Sequence, residues 1–116
     1  HGEKIALERI EQGDLVEVSF TPAVGHEPAK SRPAVVLSTY GFNCRSSLVV
    51  VAPVTSTNNG YPLHVPLSTG LVRGYVQVEA LRCLDLERRG YELLGVVPEA
   101  TMTRVMSHVR SIFDLR

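Results

Sequence analysis

Apolar positions follow two rhythms along this chain. The segment Leu15 to Phe20 (LVEVSF) alternates with period two, which predicts a strand with one face on a core. PAVVLS (33–38) and SLVVVAP (47–53) are unbroken apolar runs and read as central strands, with Pro33 confined to the first residue of its strand, where no ladder donor is lost. YPLHVPL (61–67) carries two prolines and suits an edge strand, and YVQVEAL (75–81), RCLDL (82–86) and YELLGVV (91–97) continue the series. Turn residues punctuate these runs at Gln12-Gly13-Asp14, Ala23-Val24-Gly25, Gly41-Phe42-Asn43, Asn58-Asn59-Gly60, Ser68-Thr69-Gly70 and Arg89-Gly90. The period then changes. Across 97–113, Met102, Val105, Met106, Val109, Ile112 and Phe113 recur at three- and four-residue spacing, one apolar face of a helix that Pro98 and Glu99 suit as its start. The expected fold is mainly β: a small, partly open barrel with a C-terminal α-helix packed on it.

Composition narrows this picture. The 116 residues suffice for a single domain, 1–116, and 44% hydrophobic content can fill its core. Formal net charge is zero, so any affinity for a polyanion must come from a local patch. The basic residues are ten arginines against two lysines, Lys4 and Lys30, and guanidinium forks suit phosphate and carboxylate. Cys44 and Cys83 form no CxxC and have no histidine at ligand spacing, so they read as apolar fillers or surface thiols rather than a metal site. No apolar run approaches the ~20 residues of a membrane helix, and no signal peptide is visible. The expected setting is cytoplasmic, and the His1-Gly2 opening reads as an expression remnant.

Three polar clusters interrupt the β-rich pattern. His26, Glu27, Lys30 and Arg32 lie between the first two strands; Thr55, Ser56, Thr57, Asn58 and Asn59 follow a central strand; Gln77 and Glu79 are two apart, which would put them on one face of a later strand. If 33–38 and 47–53 are antiparallel neighbours, Arg32 and Thr55 fall at the same rim. Arginine, histidine, hydroxyl and carboxylate together fit cleavage of RNA without metal or cofactor. RNA supplies its own 2′-OH nucleophile, and the protein needs a base, an acid and a cation for the crowded phosphate. Each residue also has a plainer role: Arg32 as a strand cap paired with Glu27, His26 as a solvated turn residue, Thr55 and Ser56 as turn formers, His64 as structural, Glu8-Arg9 and Glu87-Arg88-Arg89 as solvated faces.

Taken in order, GDLVEVSF, GHExxxxRPAVVLS, VAPVTST, NGYP and VPEATMTRV resemble the MazF/PemK (Kid) family of toxin endoribonucleases, from about Gly13 to Phe113. The resemblance implies an SH3-like barrel, a homodimer, metal-independent cleavage of single-stranded RNA at short sequences, and a cognate MazE/PemI-like antitoxin whose flexible acidic tail covers the RNA groove. By position it implies Arg32 and Thr55 as the principal catalytic pair, His26 as base or substrate contact, and Glu27 as the residue orienting Arg32 or a base. Ser56, Thr57 and Asn58 join them as RNA contacts. The sequence departs from the family at one place: an Arg-x-Asp of the PemK branch is here Gln77-Val78-Glu79, which suggests base reading by Gln77 and Glu79. Two other functions share this scaffold: poisoning of gyrase through an aromatic C-terminal helix, opposed by the absence of tryptophan and the SIFDLR ending, and RNA binding without cleavage, opposed by the neutral charge.

Overall fold

A computed structural model of the chain describes residues 10–20, 31–58 and 60–114. His26, Glu27, Lys30 and Asn59 of the sequence-predicted clusters lie outside these residues. The strands are β1 (Asp14–Ser19), β2 (Ser31–Val36), β3 (Val49–Thr55), β4 (His64–Ser68), β5 (Arg73–Gln77), β6 (Arg82–Leu84) and β7 (Glu92–Val96). They form one antiparallel sheet in the order β4-β5-β3-β2-β1-β7, with β6 on the first half of β3, curled into a half-barrel. The two apolar runs are central strands, and the double-proline segment is an edge, as their composition predicts.

The sheet is buried on both faces. Leu15, Val35, Leu37, Ala52, Val54, Val65, Leu67 and Val76 form one apolar cluster. Val16, Val18, Ala34, Val36, Val49 and Val51 form the other, with Ile10, Leu84 and Leu86. The continuous apolar runs of β2 and β3 reflect this two-sided burial. It also overrides the simple alternation expected of β1, where adjacent Leu15 and Val16 are both fully buried. A register shift against β7 falls between these two residues.

The terminal helix α3 (Glu99–Phe113) covers the first cluster through Met102, Val105, Met106 and Val109. Its last apolar residues stay open: Ile112 is 41% and Phe113 66% exposed. Among the described residues no helix is long and apolar enough to cross a membrane.

Four expectations are corrected. Gly41-Phe42-Asn43 is not a turn but lies inside helix α1 (Tyr40–Ser46). Thr39 caps that helix by accepting from the Phe42 N–H at 3.3 Å, and buried Asn43 donates to the Ile10 carbonyl at 2.9 Å. The segment 82–86 ends as a strand at Leu84 because Asp85 caps a second short helix, α2 (Leu86–Arg89), and Gly90 ends it at φ +79°. Arg89 on that helix is not a solvated charge, since Nη1 donates to the Ser19 carbonyl at 2.9 Å.

Pro33 is the third residue of β2 rather than the first. The ladder with β3 begins only at Ala34↔Pro53. Leu37 N donates to Val50 O at 2.8 Å. Because bonded pairs alternate, the same register carried on would set Pro33 against Val54, where proline has no hydrogen to give. The ladder stops there and the strand does not. Pro53 is placed by similar logic: β6 pairs with Val49–Val51 and β5 with Val54–Thr55, so Pro53 falls in the gap between them.

Gly74 is required by close approach. A Cβ there would lie 2.4 Å from the Thr55 carbonyl oxygen, a backbone atom that cannot swing aside. Gly74→Ala is expected to push β5 off the end of β3 and destabilise the protein by about 2 kcal/mol, lowering its thermal midpoint by roughly 10 °C. A melting curve matching wild type would show that the two strands separate without cost.

Candidate functional site

Where β2 begins and β3 ends, the sheet carries a rim cleft of about 300 Å³ lined by Arg32, Pro33, Thr55, Ser56 and Arg73, with Val54 and Val72 at its base. The antiparallel pairing of β2 and β3 thus brings Arg32 and Thr55 to one rim, as their spacing predicts.

Local backbone chemistry explains how Arg32 is held. The Val54 carbonyl faces the position where proline offers no donor, and the half-buried Arg32 side chain supplies one instead, Nη2 to Val54 O at 3.4 Å. The same nitrogen donates to Gln77 Oε1 at 3.1 Å. Both acceptors use Nη2, and Nε and Nη1 have no acceptor among the described residues. The guanidinium also lies 5.9 Å from the Phe20 ring centroid, which Arg82 shares from 5.6 Å. A ring face attracts each cation and so reduces the cost of keeping both near each other.

Thr55 stands in a row of side chains across the sheet. β1 pairs Val18 with Arg32, and the β2–β3 register carried past Ala34↔Pro53 sets Arg32 against Thr55. β5 then pairs Thr55 with Tyr75, and β4 pairs Tyr75 with Pro66. Directly opposed residues project to the same face at close range. Thr55 Oγ1 accepts from the Thr57 N–H at 3.2 Å, which fixes the hydroxyl and leaves its hydrogen to donate. Ser56, Thr57 and Asn58 follow it as exposed residues, and Asn58 Oδ1 accepts from Gly60 N at 3.0 Å.

Gln77 and Glu79 do not share a strand face. β5 ends at Gln77, and Val78–Ala80 tighten into a 3₁₀ turn that separates the two side chains. Gln77 belongs to the arginine. Glu79 Oε2 meets Nε2 of His64 at 2.9 Å, and the His64 side chain is only 1% exposed. The structural reading of His64 holds: its ring lies between Tyr61 and Tyr75, with centroids 5.3 and 6.5 Å away.

One lining residue escaped the sequence reading. Arg73 sits beside Gly74 at the start of β5, and its side chain makes no hydrogen bond or ion pair among the described residues. Only its two-residue offset from Tyr75, once Tyr75 is known to oppose Thr55, would have pointed to it. Cys44 and Cys83 are both exposed free thiols away from this cleft.

Fold and cleft together define a small curled β-sheet protein with a cationic, hydroxyl-bearing rim. Comparison with known proteins gives the family: the chain belongs to the PemK-like, MazF-like toxins of type II toxin-antitoxin systems, whose family model matches residues 11–113. It is 32% identical over 110 residues to the endoribonuclease toxin ChpB of Escherichia coli K12, covering 90% of this chain and 94% of that protein. It is also 32% identical over 108 residues to Escherichia coli endoribonuclease PemK, covering 89% and 81%. MazF from Deinococcus radiodurans superposes with a TM-score of 0.79 at 36% identity, covering 91% of this chain and 97% of that one. In a MazE-MazF crystal structure from the same organism the values are 0.80 and 36%, over 92% and 97%.

The geometry separates two hydrogen-bonding roles that unfolding experiments can distinguish. His64→Ala empties a buried site and strips Glu79 of its partner, with an expected loss of about 2 kcal/mol. Gln77→Ala removes one half-buried hydrogen bond and should cost less than about 1 kcal/mol. Urea titration of both variants checks the order; equal losses would contradict it.

Proposed function

We propose that this chain is the toxin of a type II toxin–antitoxin pair, an endoribonuclease that cleaves single-stranded RNA by internal attack of the 2′-OH. The observation that carries the reading is Arg32: a guanidinium clamped by Gln77 and the Val54 carbonyl, with Nε and Nη1 unclaimed among the described residues, one strand away from the Thr55 hydroxyl. Relatives named as endoribonucleases match its sequence over nearly the whole chain.

In the proposed reaction the 2′-oxygen bonds to phosphorus as a base takes its proton, and the P–O5′ bond breaks as an acid protonates the leaving oxygen. The products are a 2′,3′-cyclic phosphate and a 5′-hydroxyl. Charge on the non-bridging oxygens rises at the crowded phosphorus, and Arg32 is already in place to meet it, so little reorganisation is needed when that charge develops. Thr55 donates its hydroxyl hydrogen to the same phosphate. His26 and Glu27 are the proposed proton carriers or orienting groups; they belong to the segment that leaves the sheet at Ser19 and returns at Ser31, two residues paired in register beside Arg32. No metal or cofactor takes part in the proposed steps.

Two partners follow from the same reading. A cognate antitoxin with an acidic flexible tail suits a rim bearing Arg32 and Arg73, and the relative solved as MazE-MazF supports that kind of partner. A second copy of the chain suits the apolar groove of about 350 Å³ between α3 and β6, bordered by Leu81, Met106, Val109 and Phe113.

The test is incubation of purified protein with a long single-stranded RNA in EDTA, followed by mapping of the ends. Cleavage at a recurring short sequence is expected, with cyclic phosphate and 5′-hydroxyl termini. Arg32→Ala should fold and lose about 100-fold or more in kcat, and Thr55→Ala about tenfold or more. RNA retained uncut by folded wild-type protein, or near-normal cleavage by Arg32→Ala, would overturn the assignment.

A further inference from the structure

The rim cleft does not end at Thr55. A second hollow, about 370 Å³, continues from it along β4 and β5, lined by Ser56, Pro66, Ser68, Arg73 and Tyr75. Ser56 and Arg73 line both spaces, so the two form one passage with Arg73 at the joint. The cross-strand row places Tyr75 directly beside Thr55 and Pro66 directly beside Tyr75. Arg73 and Ser68 are themselves an opposed pair, two residues along from Tyr75 and Pro66 and therefore on the same face.

The chemistry of this hollow differs from that of the cleft. Its floor is a half-buried phenol ring and an exposed proline ring; its rim holds two serine hydroxyls and an arginine with no partner among the described residues. The Tyr75 ring is braced rather than loose: the buried His64 ring lies behind it, planes 30° apart, and Glu79 anchors His64. A flat apolar surface held rigid, with hydroxyls at its edge and an unpaired cation at its mouth, is suited to a nucleobase and its phosphate. An acidic peptide would use the arginine and leave the ring idle.

We propose that this hollow is the subsite for a nucleotide adjoining the cleaved bond, its base stacked on Tyr75 and its outer phosphate held by Arg73. The proposal rests on the endoribonuclease reading above and adds the residues that grip the neighbouring nucleotide.

The experiment uses short RNAs containing the mapped cleavage site, either intact or abasic at the nucleotide on one side or the other of the cleaved bond. On intact RNA, Tyr75→Ala is expected to raise KM about tenfold, and Tyr75→Phe, which keeps the ring, to recover most of that loss. On one of the two abasic RNAs wild type should suffer a similar loss, and Tyr75→Ala should add nothing to it. Arg73→Gln should weaken binding and reduce the slope of log KM against log salt by about one. Wild-type KM for Tyr75→Ala on intact RNA, or a tenfold loss that persists on both abasic RNAs, would overturn stacking; an unchanged salt slope would remove Arg73. If wild type cleaves no RNA, the endoribonuclease reading falls. The subsite is then decided by fluorescence anisotropy with the same RNAs, and it falls as well if Tyr75→Ala binds as tightly as wild type.

Discussion

A β-ladder cannot run through a residue that has no amide hydrogen, and most of the rim follows from where Pro33 applies that rule. The strand keeps its course because β1 continues to pair with it, but on the β3 side the bonding ends and one carbonyl, that of Val54, is left to find a donor. Arg32 provides it through Nη2, and doing so holds the guanidinium against the sheet instead of releasing it to solvent. An arginine beside a dry strand is costly when it stands alone. Here the cost is offset by two acceptors and an aromatic ring, which leave the guanidinium little freedom to lose. In the proposed reaction, order imposed for structural reasons serves as the preorganisation that a developing anion needs.

The same economy of backbone shapes the far side of the cleft. Gly74 lets β5 approach the end of β3, which sets Tyr75 level with Thr55 and leaves Arg73 at the opening. The Gln77-Val78-Glu79 run then divides its labour. The amide steadies Arg32, and the carboxylate, carried away by the 3₁₀ turn, steadies the histidine behind Tyr75. Two side chains that look like a pair in the sequence serve two different neighbours.

Much of this was legible before any coordinates, and the reasons are physical. β-branched runs, prolines at their ends and the final three- and four-residue period each reflect local rules, so the strands, the edge position of 61–67 and the helix 99–113 follow directly. The juxtaposition of Arg32 with Thr55 required only that two adjacent runs be antiparallel. What escaped depends on capping and register. Thr39 and Asp85 start helices too short to show a period, so α1 read as a turn and α2 as the end of a strand. Arg73 and Tyr75 gain their meaning from pairing with Thr55 and Ser68, and a pairing partner is invisible in a one-dimensional pattern. The shared face expected of Gln77 and Glu79 fails because two-residue spacing implies one only while the strand lasts.

The helix that covers the first apolar cluster is also the last element among the described residues. Val35, Ala52, Val54 and Val76 belong to a surface that Val105 and its neighbours close from the far end of the sequence. During synthesis the strands therefore emerge well before their cover does. Until residues 99–113 have left the ribosome, the side of the sheet that α3 covers faces water, and the nascent chain holds an apolar surface open that the finished fold closes.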